Sequence, residues 1–265
     1  MLLCDAEFHT LDEVQINLRH IIEGYLMNFM AEEIKPEVKQ GKTIVIGKKK
    51  LYVAIVAVVI ILSVAAFLYF SPNGKVEYVV ADNPVLGSAD ATINVIEFSD
   101  YECPYCQASE GTNQQVIANL KQSDPAWQAP IPSIISQYVD TGKVKLVFRQ
   151  YPVHENKNPA FAAKCAQEQN KFWEYHKLLF ENYDSLTDND LSIYALNVGL
   201  NLTHFGECLT LKKYQQNIQK DLSDGQALGV SGTPTFFIGN EDKGYEKVVG
   251  AQSFTVFKQL IDSMT

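Results

Sequence analysis

The chain has 265 residues, 46% of them hydrophobic, with five cysteines and a formal net charge of −9. That length accommodates one domain of ordinary size plus appendages. The acidity argues against a nucleic-acid binder, which needs a basic face, and no internal repeat or low-complexity tract marks an array or a disordered chain.

In chain order, the first signal is helical. Thr10 and Glu13 form a capping-box pattern, and Leu11, Val14, Leu18, Ile21, Ile22, Tyr25 and Phe29 recur at helical spacing. This amphipathic stretch within residues 1–47 suits a membrane face or a partner helix. A plain juxtamembrane helix, or a true start at Met27 or Met30, explains it equally well. Leu51 to Phe70 follows as 20 residues without charge, proline or glycine, the length needed to cross a hydrocarbon core. Lys48, Lys49 and Lys50 abut its start, so the positive-inside rule predicts residues 1–50 in the cytoplasm, a single signal anchor over 51–70, and residues 71–265 outside. A cleaved signal peptide and a buried core helix are the other readings of this span. The long segment ahead of it speaks against the first, and the absence of tryptophan and polar breaks against the second.

Beyond residue 70 there are 23 acidic and 15 basic residues, so most of the negative charge lies on the outer side. Four of the five cysteines are there too: Cys103, Cys106, Cys165 and Cys208. An even number in an oxidising compartment suggests two disulfides. With the closely spaced pair set aside, Cys165–Cys208 is the remaining combination, against the alternative of two separately buried thiols.

Residues 74–88 read as a short strand and turn, and Ile93–Asp100 as a strand. Cys103 to Lys121 is helical after its first turn, residues 123–132 break that helix, and Ser133–Tyr138 resumes it. Lys143–Tyr151 is a second strand. A helical block spans about 158–228, divided at 182–189, at 199–203 and near 207–211. Strands Thr235–Ile238 and Lys247–Val249 flank Gly239-Asn240, and Ser253 stands where a cap for a last helix, Phe254–Met264, is needed. Strand–helix–strand, a helical insertion at about 152–229, then strand–strand–helix is an α/β thioredoxin fold split by a helical subdomain.

The sequence Cys103-Pro104-Tyr105-Cys106 sits at the first strand-to-helix junction. Two cysteines at this spacing form a small disulfide ring, and the first sulfur lies over the orphan N–H groups of the helix, which favour thiolate. That is the apparatus of thiol–disulfide exchange. Half a zinc site reads the same way, but no second CxxC or Cys/His pair at metal spacing follows.

The chain resembles the DsbA-like thiol:disulfide oxidoreductases in their membrane-anchored form, over roughly residues 80–262. The resemblance rests on separated motifs in order: Asp82-Asn83-Pro84-Val85-Leu86-Gly87; Val95 through Cys106; Lys164-Cys165-Ala166-Gln167-Glu168-Gln169-Asn170-Lys171-Phe172-Trp173-Glu174-Tyr175-His176; and Gly229-Val230-Ser231-Gly232-Thr233-Pro234-Thr235-Phe236. It implies that Cys103 is an exposed nucleophile and Cys106 a shielded resolving thiol. It also implies that Thr233-Pro234 is a cis-proline loop whose backbone pairs with substrate. Glu97, six residues before Cys103, matches a buried carboxylate that acts as general base for the resolving thiol, unless its strand phase turns it to solvent. Tyr105 stands where strongly oxidising relatives carry His, which implies a milder oxidant.

The resemblance implies no organic cofactor and no metal, the Cys103–Cys106 disulfide being the redox centre. It also implies exported protein substrates with free thiols and a membrane-bound, quinone-linked reoxidase. A reductase or isomerase fed across the membrane is the rival enzyme reading, and a CxxC metal-binding module the rival from another class. Phe172, Trp173, Tyr175 and Phe180 read as the core of the insertion, and His154, His176 and His204 show no metal spacing. Asn201-Leu202-Thr203 fits the glycosylation acceptor pattern.

Overall fold

The computed structural model describes residues 82–264, so the expected N-terminal helix and the 51–70 span lie outside the described residues. Among the described residues no helix is long and apolar enough to cross a membrane. Five strands form one mixed sheet in the order β1-β3-β2-β4-β5: β1 (Val85–Leu86), β2 (Ile93–Ser99), β3 (Val144–Gln150), β4 (Thr235–Asn240) and β5 (Gly244–Val249). The β2–β3 pair is parallel and the other pairings are antiparallel. Central β2 is buried along its whole length, which explains its near-continuous apolar run.

The two faces of β2 feed different layers. Ile93 and Val95 join Val144, Leu146, Phe236 and Ile238 on one face. That face is covered by α3 (Pro130–Ile134), the π-helical turn Ile135–Val139 that continues it, and α9 (Phe254–Met264). Ile96 and Phe98 face the other way with Val147 and Phe237, under Leu222 of α8 (Gln215–Ala227).

The remaining helices are α1 (Pro104–Ser109), α2 (Gln114–Ser123), α4 (Asn158–Glu168), α5 (Phe172–Glu181), α6 (Asp188–Asn197) and α7 (Leu202–Thr210). Helices α4 to α7 make a helical subdomain around Phe172, Tyr175, Leu179, Phe180, Leu191 and Phe205. A disulfide joins Cys165 of α4 to Cys208 of α7.

Four sequence expectations need correction. The helix expected over Cys103–Lys121 is two helices. Gly111, at φ +81°, donates to the Ala108 carbonyl and ends α1, and Asn113 starts α2 by accepting from Val116 N–H at 3.1 Å. The segment expected to be broken through Pro132 is helical from Pro130, because proline at the first helical position lacks only an N–H that would have no partner there anyway. The break expected near 207–211 falls after Thr210, while the turn at 169–171, marked by Asn170 at φ +58°, separates α4 from α5 inside what reads as one run. The hairpin turn between β4 and β5 likewise lies at 241–243, past Gly239-Asn240, both of which belong to β4.

Candidate active site

The site is built where β2 ends. Residues 100–102 turn the chain, the Asp100 carbonyl accepts from Cys103 N–H at 3.1 Å, and Cys103 becomes the N-cap of α1 in extended conformation with Pro104 next. Gln107 braces the turn: its amide donates to the Tyr101 carbonyl at 2.9 Å and accepts from Asn113 at 2.8 Å. Across from it the chain enters β4 through a cis Thr233–Pro234 bond. The Cys103 thiol donates to the Thr233 carbonyl at 3.3 Å, so this loop and the first cysteine are in contact.

Cys103 and Cys106 are in the dithiol form and both are buried. For Cys103 this corrects the expectation of an exposed nucleophile. Its sulfur packs beneath the Thr233 carbonyl and into the apolar cluster that includes Tyr101, Phe148 and Tyr175. Burial pushes the Cys106 thiol well up, and its hydrogen bond with Cys103 adds to the effect. Pro104 and Tyr105 are both partly buried, Tyr105 packing between this cluster and the one around Ala108 and Trp127.

Glu97 is fully buried in the middle of β2, on the face shared with Val95, so its strand phase turns it inward. Its register partners are Phe148 on β3 and Phe236 on β4. Neither carboxyl oxygen has a hydrogen-bond partner. Desolvation first, then the neighbouring Glu110 carboxyl, push this carboxyl well above the usual range; the Ser99 side chain pulls the other way, and the Cys103 sulfur adds a smaller rise.

A second buried group was not legible as such. His176 of α5 lies between Tyr101 and Glu110: its Nδ1 is 3.1 Å from the Tyr101 hydroxyl and its Nε2 is 3.2 Å from Glu110 Oε1. Burial lifts the Glu110 carboxyl to about 8 and lowers the His176 imidazole to about 3, so both are uncharged at neutral pH. Phe148, Phe172, Trp173 and Phe180 wall the imidazole, with ring centroids 4.6 to 5.4 Å away. The aromatic run read as insertion core is therefore also the wall behind the dithiol. Glu110 follows Cys106 by four residues, a spacing that brings it back to the same helix side, and that was the available signal. Among the described residues no group of His, Cys, Asp or Glu is arranged to hold a metal ion.

A thioredoxin sheet with a two-cysteine motif at the start of its first helix, a cis-proline loop against the first sulfur and a buried carboxylate below defines a dithiol–disulfide exchange site. The thioredoxin family model matches residues 126–263, more than half of the chain, and the chain belongs to that family. Among solved structures it is similar to α-DsbA1 of Wolbachia pipientis, at 26% identity and TM-score 0.56, covering 69% of this chain and 91% of that one. It is also similar to oxidised BdbD of Bacillus subtilis, at 23% identity and TM-score 0.56, covering 69% and 92%. Its fold is thus that of the DsbA-like proteins.

Curated relatives include the Na(+)/H(+) antiporter NhaA 3 of Salinispora tropica, 31% identical over 66% of this chain and 25% of that protein. The chain thus spans about a quarter of the length of the antiporter relatives it matches. The probable disulfide bond formation protein D of Bacillus cereus is 25% identical over 69% of this chain and 83% of that protein.

Proposed function

We propose that this protein is a membrane-anchored, extracytoplasmic thiol:disulfide oxidoreductase that donates the Cys103–Cys106 disulfide to exported proteins. The observation that carries the reading is the contact of Cys103 with the cis Thr233–Pro234 loop, beside a fully buried Glu97. The Bacillus cereus relative named as a probable disulfide bond formation protein agrees with it.

A substrate thiolate attacks the Cys103 sulfur of the disulfide. The new bond joins substrate sulfur to Cys103, the Cys103–Cys106 bond breaks, and Cys106 leaves with the electron pair. A buried thiolate at Cys106 is costly, and Glu97, protonated because it is buried, delivers a proton to it. The substrate's second thiolate then attacks its own sulfur in the mixed disulfide. The substrate leaves oxidised, and Cys103 takes the electron pair. Thr233 offers its backbone to an extended substrate segment beside Cys103. Recharging runs the same steps backwards: Glu97, now a carboxylate, accepts the Cys106 proton as Cys106 attacks Cys103 in a mixed disulfide with a quinone-linked membrane partner, whose sulfur leaves with the electron pair. Residues 51–70 hold the domain at the membrane where that partner lies. Pro104 and Tyr105 set the poise, the latter without a positive charge.

The direct test is trapping. With Cys106→Ser, incubation with glutathione disulfide accumulates a Cys103–glutathione adduct visible by mass spectrometry. Wild type resolves that adduct, and Cys103→Ser does not form it. Equal adduct formation in the Cys103→Ser protein would refute the assignment of the nucleophile.

A further inference from the structure

Asp100 opens the turn after β2 and is buried. Its carbonyl receives Cys103 N–H, and its Oδ1 receives Glu102 N–H at 3.0 Å. Its Oδ2 faces the other way and gathers three donors from the segment after β3: Val153 N–H at 2.8 Å, His154 N–H at 3.1 Å and His154 Nδ1–H at 2.7 Å. One carboxylate therefore locks the 153–154 segment onto the turn that carries the first cysteine. Two backbone donors would already satisfy that oxygen. The imidazole adds a chargeable partner, and its side chain is 38% exposed, open to the solvent at the site.

Asp100 and Glu102 face this imidazole from the turn after β2, and Cys103 from the start of α1. Glu155 and Lys157 on its own segment are exposed, and Asn156 links that segment to Glu102 Oε1 and to the Leu186 carbonyl. At the start of α6, Asp188 accepts from the Asn158 amide at 2.7 Å. The Asp100 hydrogen bond raises His154 above its ordinary value, the opposite of His176, and the same Asp100 that holds the ring accepts Cys103 N–H on its carbonyl, which sets the imidazole against the turn that carries the first cysteine.

We propose that His154, clamped by Asp100, is a poise-setting residue of the exchange site. Its imidazolium stabilises the Cys103 thiolate from the segment after β3 and supplies the positive charge that Tyr105 lacks. The inference rests on the dithiol reading of Cys103 and Cys106. It carries a pH dependence of definite sign. As pH rises through the raised His154 value the imidazolium is lost, the thiolate loses its partner, and the disulfide becomes a weaker oxidant.

Two titrations of the whole chain test this. In the first, thiolate absorbance is followed against pH in wild type, His154→Gln and His154→Arg. The Gln variant is expected to form the Cys103 thiolate at least half a pH unit later, about threefold less thiolate at the same pH, and the Arg variant to restore it. Identical curves for wild type and Gln, or equal shifts in Gln and Arg, would overturn the proposal. The second needs no variant. By linkage, the imidazole of His154, followed by NMR, must titrate higher in the dithiol form than in the disulfide form. Equal values contradict the coupling. Failure of the parent reading is separable: a wild-type disulfide that does not exchange with glutathione removes the oxidoreductase function, while both titrations still report on His154.

Discussion

At the scale of single residues, the site places two carboxyl groups where folding alone would not. Glu97 sits between Phe148 and Phe236 with no hydrogen-bond partner, an arrangement that costs stability on the order of 1–3 kcal/mol. Glu97→Met should therefore raise the midpoint of chemical denaturation while slowing release of Cys106 by about a hundredfold, the usual size of a general-acid effect. A variant that loses both stability and rate would mean that Glu97 is structural.

The Glu110–His176 pair sets a stability profile. Glu110 is raised from about 4.3 in an unfolded chain to about 8, so its contribution is full below 4.3 and is lost as pH climbs to 8. His176 is lowered from about 6.5 to about 3, so its contribution is full above 6.5 and is lost as pH falls to 3. The two offset each other between about 4.3 and 6.5, and stability falls off on either side. In Glu110→Gln, thermal melts should lose the decline between about pH 6.5 and 8 and keep the acid one. Cys103, Cys106, Thr233, Pro234 and Glu97 were readable as candidates because each belongs to a motif of fixed spacing. His176 and His154 were not, because their partners Glu110 and Asp100 are 66 and 54 positions away in sequence. An imidazole's role is set by what folding puts beside it.

At the scale of elements, close approach decides several outcomes. Gly225 on α8 leaves room for Tyr151, the residue after β3, and for Phe98 of β2: a Cβ there would meet the Tyr151 ring at 2.5 Å and the Phe98 ring at 3.1 Å. Gly225→Ala should destabilise the domain by about 1–3 kcal/mol in denaturant titrations, the range for overpacking; an unchanged midpoint would contradict the tight α8–sheet contact. The Cys165–Cys208 bridge closes a loop of sequence separation 43 between α4 and α7. Cys165→Ala/Cys208→Ala is expected to lose up to about 4 kcal/mol by chain entropy, with exchange at Cys103 retained. Loss of exchange in a folded double variant would show that the bridge belongs to the reaction. Strand positions and the last helix were legible from apolar period, but the α1–α2 boundary was not. Gly111 reads as a tolerable helix residue until Asn113 is seen capping the next helix, a choice made by tertiary packing of Gln107 on Tyr101 and Asn113.

At the scale of the whole molecule, the order of elements was written in the alternation of apolar periods. The meeting of β2, α1, the Thr233–Pro234 loop and the helical subdomain around one dithiol was reachable only through the resemblance of separated motifs. The structure adds the electrostatics: a short six-residue α1 behind Cys103, neutral carboxyl groups beneath, and one chargeable imidazole at the side. Under the proposed function, such a site holds Cys103 ready to ionise while burial keeps Cys106 a thiol, which favours giving the disulfide away. The most direct test of that claim is the reduction potential of the Cys103–Cys106 pair by equilibration with glutathione. A value between about −200 and −120 mV is expected for a disulfide donor. A value near −270 mV or lower, the level of a thioredoxin-type reductant, would contradict it.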